Sequence, residues 1–166
     1  MLAYIVAEGR GEADRCLVKV SEDLRARGVK LAGAVQFNIE QQADYKCQMD
    51  LEILSGTDVV RISQDLGALS QGCRLDPEGL ERAVGLVGAA LDQGADLLII
   101  NKFGKQEVDG RGFRPLIGEA LGRGIPVITA VARGNVDGFE TFADGMAIRL
   151  EPKPEIVIDW FDNQAM

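Results

Sequence analysis

The sequence predicts an α/β protein with a mainly parallel sheet and helices on both of its faces. Two short apolar runs, residues 97–100 and 127–131, are typical of strands that are buried on both sides. Stretches with apolar residues at helical spacing alternate with such runs, and short glycine-containing connections separate them. This alternation is characteristic of βαβ units, in which helices link parallel strands.

The length and composition restrict the class of protein. The chain has 166 residues, of which 46% are hydrophobic and 27% charged, so we predict one globular domain over residues 1–166. A net charge of −8 opposes binding to nucleic acid or to anionic membranes. No apolar run approaches the ~20 residues that span a bilayer, and the first residues lack a basic leader region. We therefore expect a cytoplasmic protein without a nucleic-acid partner and without membrane insertion.

The first third of the chain predicts a strand, a helix and a second strand. Residues 2–7 form a short apolar run, and residues 8–12 form a loop. Residues 29–37 predict the second strand, and Gly28 ends the helix before it. One face of that helix carries four apolar residues at helical spacing, namely Ala13, Leu17, Val20 and Leu24.

The middle of the chain predicts an inserted β-hairpin. Residues 46–54 and 58–63 are strand-like, and residues 55–57 form a turn that contains glycine. Residues 64–74 are rich in glycine and serine without a period, so we expect a long loop there. A helix should begin at the pair Asp76-Pro77, which combines a good N-cap with a proline at the first helical position.

The last third of the chain continues the alternation. Residues 113–121 present a helical apolar face, and residues 127–131 form the next strand. Residues 139–143 predict a short helix, residues 146–150 an edge strand, and residues 155–161 a final helix that packs on the sheet.

Polar residues follow the apolar run 97–100 at once. In open α/β sheets ligands bind outside the carboxyl ends of the strands, so Asn101, Lys102 and Lys105 are candidate ligand-binding residues. The alternative is a solvated loop without a site. A strand that held Mg²⁺ for hydrolysis should end in acids, because Mg²⁺ prefers oxygen ligands. Asn101 and Lys102 stand in their place.

The loop after the first strand occupies the position of a phosphate-binding loop. Such a loop needs glycines, a lysine for the phosphates and a serine or threonine for Mg²⁺. Residues 8–15 have the right length, but Asp14 stands where the lysine would be and Arg15 where the hydroxyl would be. We retain Gly9, Arg10, Gly11 and Arg15 as candidate anion-binding residues. The alternative is a plain turn with acids in the first helical turn.

The cysteines and the absence of histidine limit the chemistry further. Histidine-based triads and histidine-built zinc sites are excluded because the chain has no histidine. The three cysteines form no C-x-x-C motif, so no metal site is predicted. Cys47 directly follows a cationic residue, and Cys73 directly precedes one. Both are weak candidates for a soft-ligand or redox role. Small buried hydrophobic residues are the alternative, and we expect no disulfide between them.

Several sequence blocks occur in an order known from other proteins. The order of VKLAG at 29–33, LSG at 54–56, FGKQE at 103–107 and IPVITAV at 125–131 resembles the thermophile-type small P-loop nucleoside triphosphatases. A closer resemblance is to an uncharacterised bacterial family of degenerate P-loop NTPase-like proteins found beside molybdenum-related genes. It is carried by CQMDL at 47–51, ISQDLG at 62–67, GCRLDP at 72–77 and NKFGKQE at 101–107.

The resemblance implies a three-layer P-loop-NTPase-like domain over residues 1–166 with degenerate Walker motifs. The predicted function is a small-anion or nucleotide-binding accessory or sensor protein without efficient hydrolysis, linked to molybdenum metabolism by the family resemblance. The ligand is left open among a nucleotide, a phosphate-like anion and molybdate. Alternatives are an active nucleoside triphosphatase or kinase-like enzyme, and a protein-interaction module; self-association is also left open.

If this fold is correct, the loops after the first and third parallel strands face one cleft. Arg10 and Arg15 should then approach Lys102 and Lys105 across that cleft. Together with backbone N–H groups at the helix start, these four cations would hold an anion.

Overall fold

The computed structural model describes residues 1–9, 11–38, 49–64 and 74–164. Its strands are β1 (Leu2–Ala7), β2 (Leu31–Asn38), β3 (Met49–Ile53), β4 (Val59–Arg61), β5 (Ser63–Gln64), β6 (Arg74–Leu75), β7 (Leu97–Phe103), β8 (Val127–Ala132) and β9 (Ala147–Leu150). Its α-helices are α1 (Glu12–Ala26), α2 (Pro77–Asp92), α3 (Lys105–Val108), α4 (Arg114–Gly122), α5 (Val136–Ala143) and α6 (Pro154–Gln164).

Seven strands form the main sheet, in the order β4-β3-β2-β7-β8-β1-β9. Five adjacent strands, β2, β7, β8, β1 and β9, are parallel to one another. Strand β3 is antiparallel to both β2 and β4. The predicted class, a mainly parallel sheet with one inserted hairpin, is confirmed. Strands β7 and β8 lie between β1 and β2. The carboxyl ends of these four parallel strands therefore lie side by side along one edge of the sheet, near its centre.

Alternate residues of the parallel strands face two separate cores. Leu98 and Ile100 of β7 pack with the apolar faces of α2, α4 and α5 on one side of the sheet. Leu97 and Ile99 pack with α1 and α6 on the other side. All four side chains are buried, as expected for a strand covered on both faces. The four apolar residues predicted for the first helix, Ala13, Leu17, Val20 and Leu24, are buried in the second core.

The hairpin and its surroundings differ in detail from the sequence prediction. Of the predicted strand 46–54, residues 46–48 lie outside the described residues and β3 covers Met49–Ile53. The predicted strand 58–63 is shortened to β4, and Ser63 and Gln64 instead start a second, two-stranded ladder. In that ladder Ser63 pairs with Leu75 and Gln64 with Arg74, so both ends of the predicted loop 64–74 are strand residues. A local sequence pattern cannot show this pairing, because the partners are about ten residues apart and each strand has two residues.

The predicted start of α2 is confirmed. The Asp76 side chain accepts a hydrogen bond of 3.1 Å from the Glu78 N–H, and Pro77 occupies the first turn. This cap satisfies one of the N–H groups that an α-helix leaves without an internal partner.

The described residues contain no helix that is both long and apolar enough to cross a membrane.

Helix α2 lies so close to the hairpin that one of its glycines cannot be replaced without movement. A Cβ atom on Gly79 would lie 2.2 Å from the Arg61 carbonyl oxygen of β4. Gly85, in the same helix, is exposed, and a Cβ atom there would meet nothing within 4 Å. The two glycines therefore have opposite roles: the first permits close packing, and the second only weakens the helix.

We expect Gly79→Ala to lower the free energy of unfolding by about 1–3 kcal/mol, because overpacking forces α2 away from the hairpin. Gly85→Ala is the matched control and should raise it by up to about 1 kcal/mol, the difference in helix propensity. Urea unfolding measures both. Equal effects of the two substitutions would show that α2 does not pack against β4 as closely as described.

Candidate functional site

A cleft of about 610 Å³ opens at the carboxyl ends of the parallel strands. It contains residues from the turn after β1, from the end of β7 and from the end of β8. Among the predicted site residues, Gly9, Gly11, Asn101, Lys102 and Lys105 line it. The loops after the first and third parallel strands of the sequence thus face one cleft.

The turn before α1 brings backbone groups to the cleft. Gly11 is the N-cap of α1 and has a φ of +76°, in the left-handed region that favours glycine. Its carbonyl accepts a hydrogen bond of 2.9 Å from the Arg15 N–H, the first of the helix. Gly11 has no side chain that could accept a hydrogen bond from the N–H groups of the first helical turn. Gly11 also lines the cleft. The positive end of the helix dipole is therefore directed at this region.

Asp14 and Lys102 oppose each other in the cleft. Both line it, Asp14 from the first turn of α1 and Lys102 from the end of β7. Partial burial raises the pKa of Asp14, while the positive charges of Lys102 and Arg15 counteract that rise. The sequence suggested that Asp14 would spoil a phosphate site. In the structure Asp14 lines the cleft, and the positive charge of Lys102 opposes the rise of its pKa.

An irregularity in β7 sets the directions of its last side chains. Ile100 pairs with Thr129 and Phe103 with Val131, so three steps along β7 correspond to two along β8. Such a bulge changes which face the following residues present. As a result Phe103 is fully buried in the same core as Ile100, although strict alternation would place it on the opposite face.

Asn101 and Lys102, within this irregular segment, have contrasting environments. Asn101 is only 5% exposed, and its side-chain nitrogen donates a hydrogen bond of 3.4 Å to the Gln36 side-chain oxygen on β2. Lys102 and Lys105 are exposed. In the described part of the chain, no carboxylate lies within ion-pair distance of either lysine ammonium. Both ammonium groups therefore add positive charge to the cleft.

Glu107 organises the segment that carries these lysines. Its carboxylate is 4% exposed and accepts hydrogen bonds from the Gly104 N–H at 2.8 Å and from the Phe113 N–H at 2.9 Å. One side chain thereby joins Gly104, the N-cap of α3, to Phe113, the N-cap of α4. Desolvation raises the pKa of Glu107, and the backbone hydrogen bonds counteract that rise. The sequence analysis left a solvated loop open here as an alternative, and it did not predict this buried carboxylate.

The same carboxylate explains why a glycine occupies position 112. Gly112 has a φ of +61°, and a Cβ atom there would lie 1.7 Å from a Glu107 carboxylate oxygen. Beyond it, the Arg114 side chain donates to the Glu107 and Val108 carbonyls and lies over the Phe142 ring, 5.0 Å from its centre. The segment between β7 and α4 is therefore fixed by specific contacts.

The remaining candidate residues are Arg15, which does not line the cleft, and three residues outside the described part of the chain. Arg15 is exposed on the first turn of α1, next to Asp14, and is not among the described residues that line the cleft. Arg10, Cys47 and Cys73 lie outside the described residues, so the four-cation arrangement and the ligand role of the two cysteines stay predictions. No group of three acids or cysteines that could hold a metal occurs within residues 1–9, 11–38, 49–64 and 74–164.

Cys16 is a packing residue. It is buried in α1 against the α6 side of the sheet, and its pKa is raised to about 11, mainly by burial and also by Glu155 and Glu12. A thiol with such a pKa is protonated near neutral pH and a poor nucleophile.

Five further polar residues line the cleft and were not predicted as site residues: Asp14, Gln36, Gln106, Glu107 and Asn135. Asp14 was noted only as a departure from a phosphate-loop pattern. Glu107 had a usable signal, because it follows Gly104 by three residues, the spacing at which a glutamate accepts a hydrogen bond from the N-cap N–H. Nothing in the local sequence marks Gln36, which depends on the pairing of β2 with β7.

Comparisons with known proteins assign the chain to a family. Residues 2–160 match the family described as "Protein of unknown function (DUF2478)", so the chain belongs to that family. It is also 32% identical, over 161 residues, to the molybdenum import ATP-binding protein ModC 2 of Bradyrhizobium diazoefficiens. That match covers 96% of this chain but only 18% of the relative's length.

The fold resembles that of a solved protein. THEP1 from the hyperthermophile Aquifex aeolicus superposes with a TM-score of 0.65, covering 98% of this chain and 96% of THEP1, at 15% sequence identity. Identity at that level supports the fold alone. The predicted P-loop-NTPase-like α/β fold is thereby confirmed.

We expect Glu107→Ala to lower the free energy of unfolding by about 2 kcal/mol or more, because a buried N–H without an acceptor costs about 1–3 kcal/mol. Asp109→Ala is the control in the same segment. Its carboxylate forms an exposed ion pair with Arg111, worth about 0–1 kcal/mol. Thermal unfolding by circular dichroism measures both. A Glu107→Ala protein as stable as the control would disprove the organising role of this carboxylate.

Proposed function

We propose that the cleft binds a small anion, or the phosphate group of a nucleotide, and that the protein is an accessory or sensor protein without efficient hydrolysis. The observation that carries this proposal is that Lys102 and Lys105 share the cleft with the N-terminal turn of α1. Two ammonium groups and the positive end of a 15-residue helix favour a negatively charged ligand.

The exchange of charges between α1 and β7 supports binding without metal-dependent hydrolysis. In P-loop NTPases a lysine in the phosphate loop meets the phosphates, while an acid on a strand helps to hold Mg²⁺. Here the acid, Asp14, lies at the helix and the lysine, Lys102, at the strand. An anion would thus be bound by Lys102 from the strand side, and a divalent cation would meet an ammonium group there.

Asp14 tunes this site in the proposal. Its carboxylate interacts with Lys102 in the ligand-free cleft, so an incoming anion competes with it for the same cation. Asp14 therefore limits the affinity for the anion, and it partly neutralises the charge of Lys102 when no anion is bound. Arg15, and Arg10 outside the described residues, complete the set of cations that we assign to the anion.

The proposed link to molybdenum rests on two similarities. The sequence blocks described above resemble a family found beside molybdenum-related genes, and the ModC 2 relative is named as a molybdenum import protein. Molybdate is a tetrahedral oxyanion, the class of ligand that a helix N-terminus and two lysines suit. We therefore include molybdate with phosphate and nucleotides among the proposed ligands.

Lys102→Glu should abolish anion binding while leaving the fold intact, because it reverses the charge of the central cation. Asp14→Asn should strengthen binding, because it removes the competing carboxylate. Isothermal titration calorimetry at low salt with phosphate, sulfate, molybdate, tungstate, ATP and GTP measures both effects. Where an anion binds, a concentration of 100 times Kd should stabilise the protein by about 2.7 kcal/mol.

The control for these variants is Lys153→Glu, which reverses a charge of the exposed pair with Glu151, away from the 610 Å³ cleft. It should bind anions as the wild type does. If Lys102→Glu and Asp14→Asn both bind anions with the same affinity as the wild type, the anion site is elsewhere or absent.

Hydrolysis of ATP and GTP in the presence of Mg²⁺ should not exceed the background of a mock preparation. The reason is that Asn101 and Lys102 stand where acids would hold the metal. A phosphate-release assay on stringently purified protein measures this. Turnover that copurifies with the protein and is lost in Asn101→Ala would contradict the proposal.

A further inference from the structure

The cleft extends well beyond its cationic part. It reaches from the turn after β1 to residues that belong to the inserted hairpin and to α2. The strands between these limits are arranged β1, β8, β7, β2 and β3. Four strand spacings of about 4.8 Å place the two limits roughly 19 Å apart. The site is therefore elongated across the sheet.

The far part of the cleft is apolar. Its walls come from Met49 of β3, Ile62 after β4, Leu75 of β6 and Leu80 of α2. Ile62 and Leu80 are buried and packed into the core, while Met49 and Leu75 are partly exposed beside it. These side chains present carbon atoms to the cavity, while Lys102 and Lys105 lie nearer its middle, at and just after the end of β7.

The size of the cleft also bears on its ligand. Sites for organic molecules have about 300–1,000 Å³ and combine apolar walls with a few polar groups that fix orientation. At about 610 Å³ this cleft lies in that range. A bare tetrahedral oxyanion held at Lys102 would occupy only the part of the cleft near β7 and would leave the apolar walls near the hairpin in contact with water.

We infer that the ligand is an organic anion, with its anionic group at Lys102 and Lys105 and an apolar or aromatic body against Met49, Leu75 and Leu80. This inference rests on the proposed anion site and specifies its ligand class. The anionic group supplies orientation, and burial of the body supplies discrimination against free inorganic oxyanions.

Three probes with related anionic groups test the inference: inorganic phosphate, glycerol 3-phosphate and 1-naphthyl phosphate. We expect 1-naphthyl phosphate to bind at least ten times more tightly than glycerol 3-phosphate, measured by calorimetry on the full chain. Tenfold corresponds to about 1.4 kcal/mol. At about 25 cal/mol per Å², this requires roughly 55 Å² of apolar surface to be removed from water, less than a naphthyl group offers.

Met49→Gln tests the apolar end, because it keeps the length of the side chain and adds a polar amide. It should reduce the preference for 1-naphthyl phosphate over glycerol 3-phosphate to about threefold or less. Val59→Gln is the matched control: Val59 lies on β4 of the same hairpin, is 53% exposed, and is not among the described residues that line the cleft. It should retain the full preference.

The outcomes separate this inference from the proposed function. Equal affinity for the two organic phosphates, or a preference that Met49→Gln and Val59→Gln both retain, would overturn the inference and leave the anion site in place. Binding of 1-naphthyl phosphate that survives Lys102→Glu would also overturn it. Absence of binding by all three probes would overturn the anion site, and this inference with it.

Discussion

Strand β7 is buried on both faces and must deliver polar side chains to solvent within a few residues of its last core contact. Ile100 is fully buried, and Lys102 is exposed. The bulge between Ile100 and Phe103 reconciles these demands, because it returns Phe103 to the core beyond Lys102. The position of the cleft, the burial of Asn101 and the exposure of Lys102 all depend on this short irregular segment.

Two carboxylates then define what the segment can do. Glu107 is used by the backbone: it binds the N–H groups of Gly104 and Phe113 and fixes the turn that carries Lys105. Asp14 lies across the cleft and interacts with Lys102. Glu107 thus has a structural role and Asp14 partly balances Lys102, while Lys102 and Lys105 line the cleft. This division supports an anion-binding site and gives a physical reason for the proposed lack of metal-dependent hydrolysis.

The sequence predicted the layers of the fold well and its connections less well. Residues 97–100 and 127–131 were recognisable because strands buried on both faces are continuous apolar runs. Lys102 and Lys105 were found as candidates because a ligand site at strand ends is a general property of this sheet type. The bulge and the ladder between β5 and β6 could not be predicted, since each depends on pairing between strands. The bond of Glu107 to the Gly104 N–H has a local signal in the spacing of the two residues, but its second bond, to the Phe113 N–H, has none. The same limit applies to Gln36, which reaches Asn101 only because β2 lies beside β7.

The central claim is that an anion occupies the cleft between the first turn of α1 and Lys102. A crystal structure of the protein soaked with tungstate tests it most directly, because anomalous scattering locates the metal atom of the oxyanion. The account predicts a peak within hydrogen-bond reach of the Lys102 ammonium and the N-terminal N–H groups of α1, which is absent from Lys102→Glu crystals. A peak confined to other surface lysines, or the same cleft peak in the variant, would contradict it.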